Sequence, residues 1–404
     1  MKFSHAPARS GGELPCVSSS SRPMGLPRLK LALSAAAIYL VCGALASNAT
    51  EIGTTTGKAC PLGACSAGIS FSYLGEVVIP TGHQEAGVEF GGISGLDYDP
   101  RTGRYLALSD DRAERGPVRV YELEVDVDAK GLHEVSVLKH IPLRNESEQT
   151  FEVQSADPEA IRIAPDGIYW TSEGGGKSNL PPSVRVSSRD GGHLRVFDLP
   201  EGFAASADGS SGIRDNLAFE ALAVLPSGDV LVALEASLQQ DGPKPGLMQG
   251  SLARMIQYDA QSGRPRAQYI YPISPIPEAS VEGEKSMTGL SEMIALEDGW
   301  ALTVERSFAE GVGNTIKLFM IDLAGATNAS KVLAFTKSKD RIVPIRKTEV
   351  LDLNGMGLQP DNIEAMAVGR ARDGTEILLL AADNNFSKTQ KTQFLAFKII
   401  RAAH

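Results

Sequence analysis

Short apolar runs closed by Gly, Pro, Asn, Asp or Ser follow one another from residue 69 almost to the end of the chain. Such runs, separated by turn residues, predict β-strands. A sustained 3.6-residue apolar period is confined to the N-terminal segment. The runs also recur as a phrase: an acidic or small polar residue, an apolar strand, a Gly turn, a second strand and another carboxylate. Copies occupy residues 93–111, 157–173, 219–235, 290–305 and 362–383. Internal repetition of this kind predicts a repeat architecture.

Each copy is followed by further strand-like runs. The first unit predicts strands at 93–98, 104–108, 118–125 and 135–141. The second predicts them at 160–163, 168–171, 184–187 and 193–197, and the third at 221–225, 230–234, 253–258 and 268–271. The fourth predicts 293–296, 300–304, 316–323 and 331–335. The fifth has only 365–368, 376–381 and 394–399, one strand short, while residues 69–79 form a spare strand at the other terminus. Pairing the spare strand with the last unit closes a ring and leaves no exposed edge. The expected fold class is therefore all-β, a β-propeller of four-stranded blades. Five blades are countable, with residues 343–353 as a candidate for a degenerate sixth. Between the paired strands stand Pro165-Asp166-Gly167, Pro226-Ser227-Gly228, Glu297-Asp298-Gly299 and Arg372-Asp373-Gly374, where Gly supplies the positive φ of a tight hairpin.

The N-terminal 46 residues read differently. Arg28 and Lys30 precede an uncharged apolar segment, residues 31–46, that ends in Ala44-Leu45-Ala46. This is the layout of a secretory signal peptide, with Met24 as an alternative start, and it predicts a periplasmic or secreted protein. An uncleaved membrane anchor is the alternative. Residues 47–68, rich in Gly, Thr and Ala, read as a flexible linker, and residues 69–404 as one domain. Cys60 and Cys65 suit a small local disulfide in an exported protein. Of the 39 basic and 49 acidic residues, the first 46 positions hold five and one, which leaves 34 and 48, a net of −14. That balance argues against nucleic acid and favours divalent cations.

The candidate chemistry lies in the acids. The chain has no Gly-x-Ser-x-Gly elbow, no His-Glu-x-x-His zinc motif and no phosphate-binding Gly loop, and its histidines are scattered. In an antiparallel hairpin the start of the first strand and the end of the second lie at one end. Glu159, Glu220, Glu292 and Glu364 at strand starts are the candidates for catalytic carboxylates. Asp110, Asp111, Glu173, Glu235, Glu305 and Asp383 at strand ends are candidate metal ligands. Crowded carboxylates raise one another's pKa unless a cation intervenes, and hard oxygen donors suit Ca²⁺. Asn216, Asn362, Asn384 and Asn385 can add neutral oxygens. Arg112, Arg306 and Lys177 follow some of these acids and are candidates for holding an anionic substrate. A scaffold role, with each acid bonding backbone amides between blades, accounts for the same pattern.

Several phrases carry a resemblance: Gly92-Ile93-Ser94-Gly95-Leu96-Asp97-Tyr98, Pro158-Glu159-Ala160-Ile161, Phe219-Glu220-Ala221-Leu222-Ala223 and Asn362-Ile363-Glu364-Ala365-Met366-Ala367. With Leu108-Ser109-Asp110-Asp111-Arg112 and Ala382-Asp383-Asn384-Asn385-Phe386, they resemble the phytase-like propeller family labelled "esterase-like activity of phytase". The likeness runs from about Phe71 to Ile400. It implies an exported propeller that hydrolyses phosphoester or carboxylic ester bonds with Ca²⁺. The ligand motifs of calcium-dependent phytases have no residue-by-residue counterpart here, so the resemblance assigns no ligand. The expected substrate is a small anionic or ester compound, and the expected state is a monomer. The alternatives are a non-catalytic binding propeller and a Ca²⁺-dependent lactonase.

Overall fold

The computed structural model describes residues 55–58 and 68–401, apart from 176–179, 282, 284, 298 and 340. The predicted signal segment, Cys60, Cys65 and Lys177 lie outside the described residues. Strand β1 (Thr55–Lys58) falls in the segment read as a linker and pairs antiparallel with β2 (Ile69–Ile79). A two-stranded ribbon, β3 (Gln84–Glu85) and β4 (Val88–Glu89), leads into the first blade.

Five antiparallel sheets follow. The first blade is β5 (Ile93–Asp99), β6 (Arg104–Ser109), β7 (Arg119–Asp128) and β8 (Gly131–Pro142). The second is β9 (Pro158–Ala164), β10 (Gly167–Ser172), β11 (Ser183–Ser187) and β12 (His193–Val196). The third is β13 (Phe219–Val224), β14 (Val230–Leu234), β15 (Ser251–Asp259) and β16 (Arg264–Ile273). The fourth is β17 (Ser286–Glu297), β18 (Trp300–Ala309), β19 (Gly313–Asp322) and β20 (Arg346–Asp352). The fifth is β21 (Asn362–Arg370), β22 (Glu376–Asp383) and β23 (Thr392–Arg401), completed by β2 through the register Ile69↔Arg401 to Ile79↔Thr392. The spare N-terminal strand thus closes the ring as the strand count requires. Strands β5, β9, β13, β17 and β21 each neighbour the next, and β21 returns to β5. The molecule is a five-bladed β-propeller. Buried apolar clusters fill the spaces between adjacent blades, such as Phe90, Tyr105, Tyr121 and Phe394 between the first and fifth.

One strand is misplaced by the sequence reading. The sequence predicts residues 331–335 as the outer strand of the fourth blade and leaves residues 343–353 as a candidate for a degenerate sixth blade. Instead Arg346–Asp352 is that outer strand, paired with β19. The 331–335 run crosses back to the third blade. There the Val332 carbonyl accepts from Arg254 at 2.8 Å, and Arg254 lies 4.3 Å from the Phe335 ring centre. A cation–π contact and hydrogen bonds to Arg254 and, from the Phe335 amide at 3.0 Å, to Asp241, not sheet pairing, occupy this apolar run.

Candidate functional site

Each innermost strand carries a β-bulge at the same level. The register slips between Ile93 and Gly95, opposite Thr171 in the second blade, and between Phe219 and Ala221. It slips again between Leu290 and Glu292 and between Ile363 and Ala365. A bulge re-aims a side chain and ends regular pairing, which is why bulges gather at barrel rims and active sites. Aligning the blades on the bulge assigns equivalent residues. The bulged position holds Ser94, Glu159, Glu220, Ser291 and Glu364. On the second strand, the residue after the one paired with the position before the bulge (Ser109, Ser172, Leu234, Glu305 and Ala382) is Asp110, Glu173, Glu235, Arg306 and Asp383. Seven of these ten residues are acids. The fourth blade is the exception on both counts, with a serine and an arginine.

This alignment corrects two sequence-based assignments. Glu292 stands one residue past the bulge, in the column otherwise held by Gly95, Ala160, Ala221 and Ala365. Its carboxylate turns into the channel and meets Arg162 at 2.9 Å. Glu305 stands one residue before Arg306, so its side chain faces the other side of the sheet. It pairs there with Lys347 and accepts from the Ser274 amide at 3.2 Å. Asp111 is a third departure. It is buried against Arg119 at 2.6 Å and accepts the backbone amides of Glu114 and Arg115, which is a scaffold role. Neither Glu292, Glu305 nor Asp111 reaches the mouth.

The others converge. A cavity of about 630 Å³ at one end of the ring is lined by Asp110, Glu159, Glu220, Glu235, Glu364 and Asp383, with Arg112, Arg306, Asn216, Asn362 and Asn385. Asp361 also lines it, and Asp157 and Glu173 stand against the same acids. Sequence reasoning passed over Asp157 because it precedes the strand; its place beside Glu173 in the hairpin register is the signal that marks it. Asn384, expected as a ligand, is buried and spent on structure: its Oδ1 accepts from the amides of Gly92 and Phe386. Asn216 and Asn385 hold φ of 54° and 46°, the left-handed region that Asn tolerates better than most residues.

Local packing allows the acids to crowd. A Cβ on Gly289 would come within 2.4 Å of Glu235 Cγ, and Gly92, at φ +64°, would place one 2.2 Å from Asp110 Oδ1. Only glycine permits either carboxylate to lie so close to the neighbouring backbone. The serines at the two exceptional bulges do structural work: Ser94 donates to the Pro158 carbonyl and Ser291 to the Ile363 carbonyl, both at 3.2 Å.

Two guanidiniums answer the acids within this lining. Arg306 reaches Glu235 at 3.1 Å and Glu364 at 3.2 Å. Arg112 bonds Asp157 at 2.6 Å and Asn216 at 2.8 Å. This is too little compensation. Burial and the neighbouring acids push Asp110 up to about 7. Burial pushes Glu235 to about 7 against the pull of Arg306, and Asp157 to about 6 against that of Arg112. Burial first, and adjacent carboxylates second, drive Glu159, Glu173, Glu220 and Asp383 well above their usual ranges. Burial works against the Arg306 charge, but Glu364, Glu235 and Glu220 outweigh it and hold the guanidinium protonated.

The acids fit a cation. Oxygens of Asp157, Glu159 and Glu173 all lie within 4.8 Å of one another, as do those of Glu173, Glu220 and Glu235. Glu173 is shared by both groups. Its Oε1 accepts from the Ala218 amide at 2.8 Å, and its buried Oε2 has no partner among the described residues. An unpaired buried carboxylate oxygen is costly, and a hard cation with oxygen ligands at roughly 2.3–2.6 Å would satisfy it. All donors are oxygen, which suits Ca²⁺, Mg²⁺ or Mn²⁺ over softer metals.

Below the mouth the channel is closed. Arg162 on β9 donates to the carbonyls of Leu96 on β5, at 2.9 Å, and Met293 on β17. Strands β9 and β17 are not ring neighbours, so this side chain spans the axis. The cavity therefore opens at one face.

A five-bladed propeller with a blind, acid-lined mouth at the ends of its inner hairpins is the class that fold and site define. The chain belongs to the phytase-like family described as "Esterase-like activity of phytase", which matches residues 88–386. No curated protein matches it. Among solved structures it is similar to a thermostable family-43 glycoside hydrolase, with TM-score 0.44 and 9% identity over 81% of this chain and 93% of the other. It is also similar to a family-43 enzyme from Xanthomonas citri complexed with xylose, with TM-score 0.39 and 11% identity over 82% and 91%. Against a bifunctional GH43-CE protein of Bacteroides eggerthii the TM-score is 0.40 and the identity 9%, over 80% of this chain and 34% of the other. Likenesses this distant say nothing of activity or substrate.

Proposed function

We propose that the mouth is the active centre of an exported, metal-assisted hydrolase of phosphoester or carboxylic ester bonds, with calcium as the cation. The family description and the apolar segment after Arg28 and Lys30 support hydrolysis and export. The observation that carries the reading is the uncompensated acid cluster around the unpartnered Glu173 Oε2. Asp157, Glu159, Glu173, Glu220 and Glu235 are the residues that would hold the cation. When bound, it would polarise the substrate oxygen and lower the pKa of a coordinated water.

The chain's own groups supply the rest. Arg306 and Arg112 flank the cavity and orient an anionic group on the substrate. Asp110 titrates near neutrality, where a general base is most effective, and it lines the same cavity as both arginines. Asn216 and Asn362 add neutral donors and acceptors that fix orientation. The blind channel floor admits substrate and releases product through one opening.

The test is turnover of p-nitrophenyl phosphate and p-nitrophenyl acetate by the purified chain, with calcium and then with a chelator. We expect turnover of at least one ester that chelation removes and calcium restores, and that Glu173→Gln loses with the fold intact. A chain that binds calcium yet hydrolyses neither ester in any divalent cation is a binding propeller.

A further inference from the structure

The fourth blade differs from the others in height as well as in charge. Pairing of the inner hairpin ends near the ring of acids in four blades, at Ile93↔Ser109, Pro158↔Ser172, Phe219↔Leu234 and Asn362↔Asp383. In the fourth it continues through Gly289↔Arg306, Thr288↔Ser307, Met287↔Phe308 and Ser286↔Ala309. Three rungs beyond Arg306 raise a wall about 10 Å above the ring. Strand β19 continues it, with Asn314 opposite Phe308. Directly paired residues share a face, as do residues two apart on one strand. Met287, Phe308 and Asn314 therefore form a row above Arg306, and all four line the cavity.

This wall is chemically unlike the rest of the mouth. Met287 and Phe308 are half-buried and are the apolar residues of the lining. Below them Arg306 is nine-tenths buried, and its Nε has no partner among the described residues. An unsatisfied buried donor beneath an apolar shelf marks a place for one anionic group joined to one apolar group.

We propose that the substrate is an ester with a single anionic group directed at Arg306 and an apolar group of about phenyl size against Met287 and Phe308, rather than a densely charged polyphosphate. Charge favours the first. The lining offers two guanidiniums, and both are already engaged: Arg112 meets Asp157 and Asn216, and Arg306 meets Glu235 and Glu364 through Nη2. A cation taken up by the acids would first offset the carboxylates that hold it, so little positive charge is left over for the substrate, and the donor placed beneath the apolar wall is Arg306 Nε. A polyphosphate would set several further negative charges against Glu220, Glu235, Glu364 and Asp383, whereas a monoanionic aryl or acyl ester would set one.

The inference rests on the hydrolase reading of the mouth, but its test uses binding instead of turnover. Titration calorimetry on the full chain with calcium chloride present compares phenylphosphonate, methylphosphonate and inositol trisphosphate. Phenylphosphonate should bind about tenfold more tightly than methylphosphonate, the worth of partly burying one ring, and more tightly than the trisphosphate. Phe308→Ala and Met287→Ala should each shrink that preference, and Phe308→Leu should keep most of it. Thermal melts confirm that each variant is folded. Equal binding of the two phosphonates, tighter binding of the trisphosphate, no binding of any probe, or a preference that survives both alanine variants would overturn the proposal. Failure of ester hydrolysis with the phenyl preference intact would instead remove the hydrolase reading and leave the subsite.

Discussion

The two ends of one channel both bury acids, but in different numbers and with different partners. Deep in the ring, Glu292 meets Arg162, and that arginine also satisfies backbone carbonyls on other blades. At the mouth, seven or more acids from four blades face the two guanidiniums of Arg306 and Arg112, whereas the deep site sets one acid against one arginine. Among the described residues, Glu173 Oε2 at the mouth and Glu292 Oε2 below it each lack a hydrogen-bond partner. The first is a brace, one acid and one arginine tied to neighbouring blades, although burial still outweighs the attraction and pushes Glu292 up to about 8. The second is an unfinished set of ligands, stable only if protons or a cation complete it. Both arise from the same repeated hairpin, separated by a residue or two along the strand. What a carboxylate does here is set by its place relative to the bulge.

If the brace reading is right, Arg162→Met will have the largest effect on stability. It leaves Glu292 buried without its cation and strips the Leu96 and Met293 carbonyls of a donor. Removing one partner of a buried pair costs about 3–5 kcal/mol. Urea unfolding should show that loss with calcium or chelator alike. A loss below 1 kcal/mol, on the scale of an exposed pair, would mean that the channel floor is held by other contacts.

The mouth should respond in the reverse sense. Glu173→Gln removes a charge from a cluster with too many, so in chelator the variant should melt at or above the wild type. In calcium at a hundredfold over its dissociation constant, the wild type should gain about 2.7 kcal/mol. The variant should lose most of that gain. If Glu173→Gln destabilises the metal-free protein as Arg162→Met does, the distinction between brace and ligand set collapses.

Much of this was legible in the amino-acid pattern. The five repeated phrases located all five inner hairpins, and the missing strand in the last unit foretold the pairing of Ile69–Ile79 with Thr392–Arg401. The acids at 110, 159, 173, 220, 235, 364 and 383 were marked from their places in the phrase. Failures came where register decides and residue type does not. In the fourth unit the phrase Gly-Leu-Ser-Glu-Met invites alignment on its glutamate, yet the bulge falls between Leu290 and Glu292. That slip of one carries Glu292 into the channel, Glu305 to the far face of its sheet, and Arg306 into the ring. A bulge is set by backbone hydrogen bonding between strands, and no residue in this phrase announces it. The outer strand of the fourth blade was missed for a related reason. The apolar run at 331–335 looks like a strand but is taken by Arg254 on another blade.

A pH series sharpens the contrast between the two ends by a smaller, graded effect. Asp110 and Glu235 titrate at about 7 and Asp157 at about 6 in the folded chain, above the ordinary carboxylate range. The folded protein therefore holds protons that the unfolded chain releases. Metal-free stability should be greatest near pH 4 and fall as pH rises to 7, by about 1.4 kcal/mol per pH unit for each extra proton held. Calcium competes with those protons, so its stabilising effect should grow over the same interval. Glu292, pushed up to about 8 by burial despite Arg162, should add a calcium-independent share that Glu292→Gln removes. Melting curves between pH 4 and 8 measure both. Metal-free stability that instead rises with pH would show the mouth acids to be held as carboxylates by ion pairing, titrating below the ordinary range.

The smallest effect on turnover tests the register itself. Glu305 and Arg306 are adjacent on β18, and their side chains leave opposite faces of the sheet. Arg306→Gln removes the guanidinium that holds Glu235 and Glu364, and should raise KM for an anionic ester. Glu305→Gln takes a charge away from Lys347 behind the blade. It should lower the melting temperature, because Lys347 is left buried without its partner, and leave kcat and KM as they were. Equal loss of turnover in the two variants would put Glu305 at the mouth, and would undo the alignment that makes the fourth blade the exception.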